Sequence, residues 1–375
     1  MKMEKIQQKA SEKIEELENP ESIRTPGRTW TRYPKTKDLL RTSESEDSAH
    51  PEAKIEKEEV RPETKVEGEV EVLHGEKAVK EAGEKLFDAV KLDEDKLTAV
   101  HAANLNSVIY IKASGQASVN IEYVEEADTF AHVVVDAKKN SELELTEEFR
   151  NEGLLTSVNE IYVGENATVN YGAVEASNSE LTYSRRKAVV SDYGTMNWLN
   201  SQFRGDLKRT KIETSLKGDN SETEKLAVWY PTGEQHNDIA MHAYHYGENT
   251  RCQMDSRAVV DDKARSVYEG LQHVGDRADE TQSFQDEEVL MLSDKAEVNA
   301  SPKLMIHDPN VEASHAASAG NLPEKELHYL ESRGLSEEQA RKLIVKGYFE
   351  PVIEEISLPG LKKSIRKEVE RKLSS

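Results

Sequence analysis

The chain opens with apolar residues spaced three or four positions apart, which lines one face of a helix. We therefore predict an N-terminal helical segment over residues 1–40, in which Pro20 and Pro26 end the helix. The same spacing returns later and predicts a helical connector over residues 73–100. The apolar positions of the two patterns are Ile6, Ala10, Ile14, Leu17, Ala78, Val79, Ala82, Leu86, Phe87 and Val90.

Between residues 101 and 319 the pattern changes to short alternating runs, which Gly- and Asn-containing turns separate. Alternation of this kind is typical of strands. No helical stretch of crossover length interrupts it, so a doubly wound α/β fold is disfavoured. A sandwich, a barrel and a solenoid remain. A repeated phrase of turn, small residue and β-branched residue favours a right-handed parallel β-helix, and it occurs at 116–119, 166–169 and 295–298.

Residues 320–375 return to helical spacing. Gly334 is suited to end one helix, and the capping box at Ser336–Gln339 opens the next, which we expect to end at Gly347. A basic amphipathic helix follows from Leu361 to Leu373. This helical module would either cap the end of the solenoid or dock a partner.

Composition and charge limit the classes of partner and the cellular compartment that we expect for this chain. The net charge of −22 opposes phosphate backbones and anionic membrane surfaces, so we expect neither nucleic acid nor a membrane as a partner. Residues 41–72 are acidic and poor in apolar residues, which predicts a flexible linker. A signal peptide and a membrane-length apolar run are both absent, and the single cysteine fits a reducing compartment. These features predict a cytoplasmic protein.

The sequence carries none of the common catalytic signatures, such as a phosphate loop or a dinucleotide fingerprint, so we expect no enzyme. His236, His242 and His245 are dense enough to suggest a transition-metal site. Residues three apart on a strand face opposite sides, however, which favours ordinary strand positions. Cys252 is alone, and a lone cysteine is more often a small buried apolar residue than a ligand.

His315 is a stronger candidate, because small residues surround it: Ala313, Ser314, Ala316 and Ala317. An imidazole among such neighbours stands clear on a surface that another chain can approach closely. The alternative is a hydrogen-bonded surface histidine at the end of the solenoid.

Two segments near the C-terminus resemble the SufB/SufD family of iron–sulfur cluster assembly proteins. The first runs from Leu304 to Leu322 and includes Ser314-His315; the second runs from Leu327 to Arg341 and includes Ser332-Arg333-Gly334. The similarity is clearest between about Ala227 and Glu355.

This resemblance implies a scaffold subunit with a β-helix core. Such a subunit pairs with SufB, or with itself, through the end of the β-helix, and docks the SufC ATPase through its C-terminal helices. It has no intrinsic cofactor, and a transient iron–sulfur cluster forms at a subunit interface, here near Glu312 and His315. The implied SufC-docking residues are Arg333, Gly334, Leu335, Ala340 and Arg341.

The chain departs from the family pattern at two places. B-type members carry a cysteine near Lys295–Val298, where this chain has none, and Ala313 replaces a cysteine of D-type members. The chain therefore looks D-type, with His315 as the one ligand carried over. Two alternatives stay open: a homodimeric regulator of the SufC ATPase without cluster contact, and a β-helix carbohydrate-active enzyme. Flavin, which is associated with such complexes, also stays open.

Overall fold

The computed structural model describes residues 3–17, 59–124 and 126–374. Its helices are α1 (Met3–Glu16), α2 (Gly75–Ala82), α3 (Lys96–Ala103), α4 (Glu324–Ser332), α5 (Glu337–Glu355) and α6 (Pro359–Lys372), with a 3₁₀ turn at Gly83–Lys85. Its strands are β1 (Glu63–His74), β2 (Ser107–Tyr123), β3 (Thr129–Ala137), β4 (Glu142–Phe149), β5 (Leu155–Val163), β6 (Thr168–Glu175), β7 (Leu181–Val190), β8 (Thr195–Gln202), β9 (Leu207–Leu216), β10 (Glu222–Trp229), β11 (His236–His245), β12 (Arg251–Val260), β13 (Arg265–Val274), β14 (Gln282–Met291), β15 (Glu297–Ile306) and β16 (Glu312–Asn321).

Strands β2 to β16 wind into a parallel β-solenoid, which confirms the predicted fold class. The first half of β2 pairs with β3 and its second half pairs with β4, so β2 alone forms the first turn. Each later turn takes two of the fourteen strands β3–β16, which makes eight turns in all. We call sheet A the first half of β2 with the odd-numbered strands up to β15. Sheet B is the second half of β2 with the even-numbered strands up to β16.

Alternate side chains of both sheets point into the interior of the solenoid. The parallel register stacks each inward residue on its counterpart in the next turn, so inward positions form continuous files. The files are mostly apolar in the early turns, where burial stabilises the fold, and become polar towards the last turn. One file of sheet B consists of Val119, Leu145, Tyr171, Trp198, Lys225, Met254, Gln285 and His315.

A network of charged and polar groups is buried in the middle of the interior. Arg186 is 0% exposed and donates to Glu175 at 2.7 Å, to Asn200 at 2.5 Å and to the Tyr171 hydroxyl at 3.0 Å. Tyr171 in turn donates to Glu147 at 2.5 Å. Buried ions are costly unless they are paired and hydrogen-bonded, and here both conditions are met around the guanidinium.

Stacked turns join sheet A to sheet B. Asn140 and Asn166 occupy equivalent turn positions with φ values of 60° and 55°, a region that asparagine tolerates better than most residues. The Asn166 side chain donates to the Asn140 side chain at 2.8 Å, which ties one turn to the next. The turns approach so closely that a Cβ on Gly218 would lie 1.9 Å from the Asp192 backbone nitrogen. The Gly and Asn residues that recur between the alternating runs of the sequence are therefore explained by the stacking of turns.

The helices cover the outer faces of the two sheets and not the end of the solenoid. Helices α1, α2 and α3 pack on sheet A, and α5 and α6 pack on sheet B. Helix α5 continues through Gly347, where we expected it to end, because Phe349 and Val352 beyond it are buried against sheet B. Among the described residues, no helix has both the length and the apolar character that a membrane span requires.

The two ends of the solenoid differ. Strand β1 runs antiparallel along both halves of β2, from Glu63 opposite Glu122 to His74 opposite Ile109, and so covers the edge of the first turn. Residues 63–72 thus form a strand where we expected a flexible linker over 41–72, because their backbone groups pair with β2. Residues 41–58 of that linker lie outside the described residues, as do residues 1, 2 and 18–40 of the expected N-terminal segment.

Candidate functional site at the open end

The last turn, formed by β15 and β16, is the open end of the solenoid. Within the described chain, each of these strands pairs only with the strand of the turn before it. Most of β16 is exposed, and Met305 and Ile306 of β15 are 48% and 42% exposed. An edge with unpaired N–H and C=O groups and exposed apolar side chains is a template for pairing with another chain.

His315 and Glu312, the two interface candidates, both lie on β16 but face opposite sides. His315 stacks on Gln285 in an inward file, and its position at the open end leaves it exposed. Glu312 stacks on Gln282 in an outward file and accepts a hydrogen bond from the Gln282 amide at 3.3 Å. The two side chains therefore cannot hold the same ion, as expected for residues three apart on a strand.

The side chains of His242 and His245 on β11 also point to opposite sides of their strand. His242 lies on the outer face of sheet A, with Nε2 at 2.9 Å from Glu269. His245 points inward, where its two ring nitrogens lie 2.8 Å from the Thr250 hydroxyl and 3.1 Å from the Ser283 hydroxyl. Burial lowers the pKa of His245 to about 3, so the ring stays neutral. Among the described residues, no three His, Cys, Asp or Glu side chains are grouped closely enough to hold a metal.

Cys252 also points inward, in the file that continues through Ser283 to Ala313 at the open end. It is 2% exposed, and burial raises the pKa of its thiol to about 12. A thiol with this pKa is protonated at neutral pH and reacts poorly as a nucleophile. The structure thus places Cys252 as the small buried residue that its isolation in the sequence suggested.

Three polar side chains just beneath the open end were missed by sequence reasoning: Gln272, Gln285 and Glu287. They are at most 3% exposed, and their side-chain oxygens and nitrogens have no hydrogen-bond partner within the described chain. Burial raises the pKa of the Glu287 carboxyl to about 8. The sequence does carry a signal for two of them, because Gln285 and Glu287 alternate with the solvent-facing Phe284, Asp286 and Glu288 along β14.

The SufC-docking candidates lie at the junction of α4 and α5. Arg333 and Gly334 are exposed there, Leu335 and Arg341 are half-buried, and Gly334 has the φ of +93° that the turn requires. Ala340 is 0% exposed, so its contacts are made within this chain.

Helix α4 has no buried residue, and two apolar side chains of the module are largely exposed. Tyr329 on α4 is 57% exposed and Leu343 on α5 is 51% exposed. Sequence reasoning did not single out either residue. We call these two residues, together with the α4–α5 junction, the C-terminal surface.

Comparison with known proteins places these features in a family. The family model described as "SUF system FeS cluster assembly, SufBD core domain" matches residues 119–348. The chain is 32% identical to the iron–sulfur cluster assembly protein SufD of Bacillus subtilis over 77% of this chain and 70% of that protein. It is 25% identical to SufB of the same organism and 26% identical to a SufBD family protein of Staphylococcus saprophyticus, in each case over 56% of this chain and 45% of the relative. The chain therefore belongs to the SufBD family of iron–sulfur cluster assembly proteins.

Proposed function

We propose that the chain is a non-catalytic scaffold subunit of the SUF assembly system, active in the cytoplasm. It pairs with a SufB-type subunit, or with a second copy of itself, through the open end. The observation that carries the proposal is the pair of strand edges on β15 and β16 that are unpaired among the described residues, and that offer backbone donors and acceptors to a partner strand. Both SufD and SufB of Bacillus subtilis are similar to this chain, which supports a SufB-type partner from the same family.

His315 is the iron-binding residue of this proposal. It is exposed at the open end, and the imidazole can ligate the iron of a transient cluster in its neutral form. Glu312 faces away from His315, so its role at the interface is to add negative charge on the outer face of sheet B. The cluster is cargo, and ligands beyond His315 come from the partner or from other groups at the open end.

The test is anaerobic reconstitution of the complex with iron and sulfide. We expect this chain to form a ternary complex with SufB and SufC that gains iron–sulfur absorbance, and His315→Ala to lose most of that absorbance while the complex still forms. His74→Ala is the matched control, because His74 is exposed at the opposite end of the solenoid. Equal absorbance in wild type and His315→Ala would contradict the ligand role.

The C-terminal surface is the proposed docking site for the SufC ATPase. Tyrosine is enriched among the residues that dominate the binding energy of protein interfaces, and an exposed leucine adds apolar contact area, so Tyr329→Ala combined with Leu343→Ser should weaken SufC binding about tenfold or more. Titration calorimetry with purified SufC measures the change. Tyr193→Ser, which removes a 60% exposed tyrosine from a turn of the solenoid, should bind SufC normally. Unchanged binding by the double variant would exclude this surface as the docking site.

The second candidate function is a homodimeric regulator of SufC that never contacts a cluster. The same unpaired edges would support it, and it predicts ATPase stimulation that is indifferent to His315→Ala in an assembly without iron–sulfur absorbance. A carbohydrate-active enzyme is the least favoured alternative, because the family match accounts for the solenoid without it. Turnover of a polysaccharide by the purified chain would revive it.

A further inference from the structure

Three buried polar side chains lie beneath the open end, and the described residues give them no hydrogen-bond partner that would explain their burial. Gln272 is 0% exposed, Glu287 is 1% exposed and Gln285 is 3% exposed, and none of their side-chain polar atoms has a hydrogen-bond partner within the described chain. A buried polar group without a partner destabilises a fold. Apolar side chains fill the positions equivalent to Gln272 and Gln285 in the first turns, and Glu147, which is equivalent to Glu287 in the second turn, accepts hydrogen bonds from Tyr171 and Asn159. Groups of this kind commonly mark a bound ion or water.

Gln285 and Glu287 face strand β13 across the interior of the solenoid. Gln285 on sheet B lies against Gly270 on sheet A, where an added Cβ would be only 2.0 Å from the Gln285 amide nitrogen. Glycine at that position therefore gives the amide the space it occupies. Glu287 is the next inward residue of β14. It lies near Tyr268, the inward residue that precedes Gly270, because burial and then the negative charge of Glu287 raise the pKa of Tyr268. The unpartnered amide and carboxylate thus lie side by side.

The last turn of the solenoid lies directly over Gln285 and Glu287. In the register of β14 with β16, His315 stacks directly on Gln285 and Ala317 stacks directly on Glu287. Ala313 precedes His315 on the same inward face of β16, and Ala317 follows it. Small side chains therefore border the imidazole along the strand. An ion at the open end would meet the imidazole first, and the amide and carboxylate one turn deeper.

We propose that Glu287 and Gln285 form, together with His315, a site that receives a ferrous ion from the open end. The inference rests on the proposed role of His315 and adds two deeper donors to it. A carboxylate, an amide oxygen and an imidazole are all suitable donors for divalent iron. The remaining coordination positions face the open end, where water or the partner subunit supplies them. The site supplies protein ligands in a chain that has no cysteine at this end.

Cobalt(II) binding to the purified chain, without SufB or SufC, tests the site. Co²⁺ substitutes for Fe²⁺, and its visible absorption reports an imidazole and oxygen environment. We expect one ion per wild-type chain and at least a tenfold weaker affinity in both Glu287→Gln and His315→Gln. Glu288→Gln is the matched control, because Glu288 is the next residue of β14, faces the opposite side and pairs with Arg257 at 3.1 Å. It should bind Co²⁺ like the wild type.

The outcomes separate this inference from the proposed function. If His315→Gln weakens Co²⁺ binding and Glu287→Gln does not, the deeper site is wrong and the role of His315 stands. A wild-type chain that binds no Co²⁺, but still gains a cluster with SufB and SufC, also overturns the deeper site alone. Failure of the chain to form any complex with SufB or SufC overturns the proposed function. Circular dichroism confirms that each variant is folded.

Discussion

Replacing Glu287 with Gln should stabilise the metal-free protein, and the gain should grow with pH. Burial raises the pKa of this carboxyl to about 8 from an ordinary value of 4.5. The folded state therefore holds the proton more tightly than the unfolded state. The contribution of this group to stability is fully present below about pH 4.5 and is lost as the pH rises towards 8, because the carboxyl of the unfolded state ionises over this range while the buried carboxyl keeps its proton. Gln never ionises, so the variant gains at most roughly 2 kcal/mol at pH 6 and roughly 5 kcal/mol at pH 9.

Urea unfolding at pH 6 and pH 9 measures this difference. The control is again Glu288→Gln. The Glu288 side chain is partly exposed and paired with Arg257, so loss of this ion pair should lower the free energy of unfolding by up to about 1 kcal/mol at either pH. A Glu287→Gln variant that is less stable than wild type at pH 9 would show that the carboxylate has a stabilising partner.

Replacing Arg186 with Met should have the largest destabilising effect of any single change in the interior network. The guanidinium is fully buried and its removal leaves the Glu175 carboxylate, also 0% exposed, without the 2.7 Å ion pair. Loss of one partner of a buried ion pair costs about 3–5 kcal/mol. The double variant Arg186→Met with Glu175→Gln removes both charges and should recover a large part of this loss.

A double-mutant cycle in urea gives the coupling energy between the two residues directly. Arg265→Met is the comparison at the surface, because Arg265 and its partner Glu297 are 30% and 60% exposed. Its cost should stay below about 1 kcal/mol. Equal costs for Arg186→Met and Arg265→Met would mean that water reaches the interior network.

Much of the fold follows from the sequence pattern. Period-two runs between Gly and Asn turns predicted the strands, and the structure explains why those turn residues recur: Asn166 has a positive φ, and Gly218 lies against the turn before it. The capping box of Ser336 and Gln339 and the left-handed Gly334 were also predicted and are confirmed. These features depend on local conformation, which the local sequence determines.

The parts that could not be predicted depend on distant contacts. All nine positions of β3 are buried, because helices cover the outer face of sheet A, so alternation there does not distinguish inside from outside. Glu287 belongs to a segment rich in charged residues, so its alternation with Asp286 and Glu288 does not tell which face is inward, and its 1% exposure in the structure does. Gly347 ends no helix, since the residues after it pack on sheet B. Composition alone indicated a linker up to residue 72, whereas the pairing partner of β1 is more than thirty residues further along the chain.

Strand β1 has a consequence for stoichiometry. A solenoid with two exposed ends can stack head to tail without limit, and the product is a fibre. Here β1 occupies the edge of the first turn with an antiparallel strand, and its own outer edge carries the exposed acidic residues Glu67, Glu69 and Glu71, which disfavour pairing there. Within the described chain the last turn is therefore the favoured acceptor of a partner strand. Association through that turn uses the favoured acceptor of each molecule. Assembly through strand pairing therefore stops at two solenoids, and a chain that lacks β1 should form longer oligomers on size-exclusion chromatography.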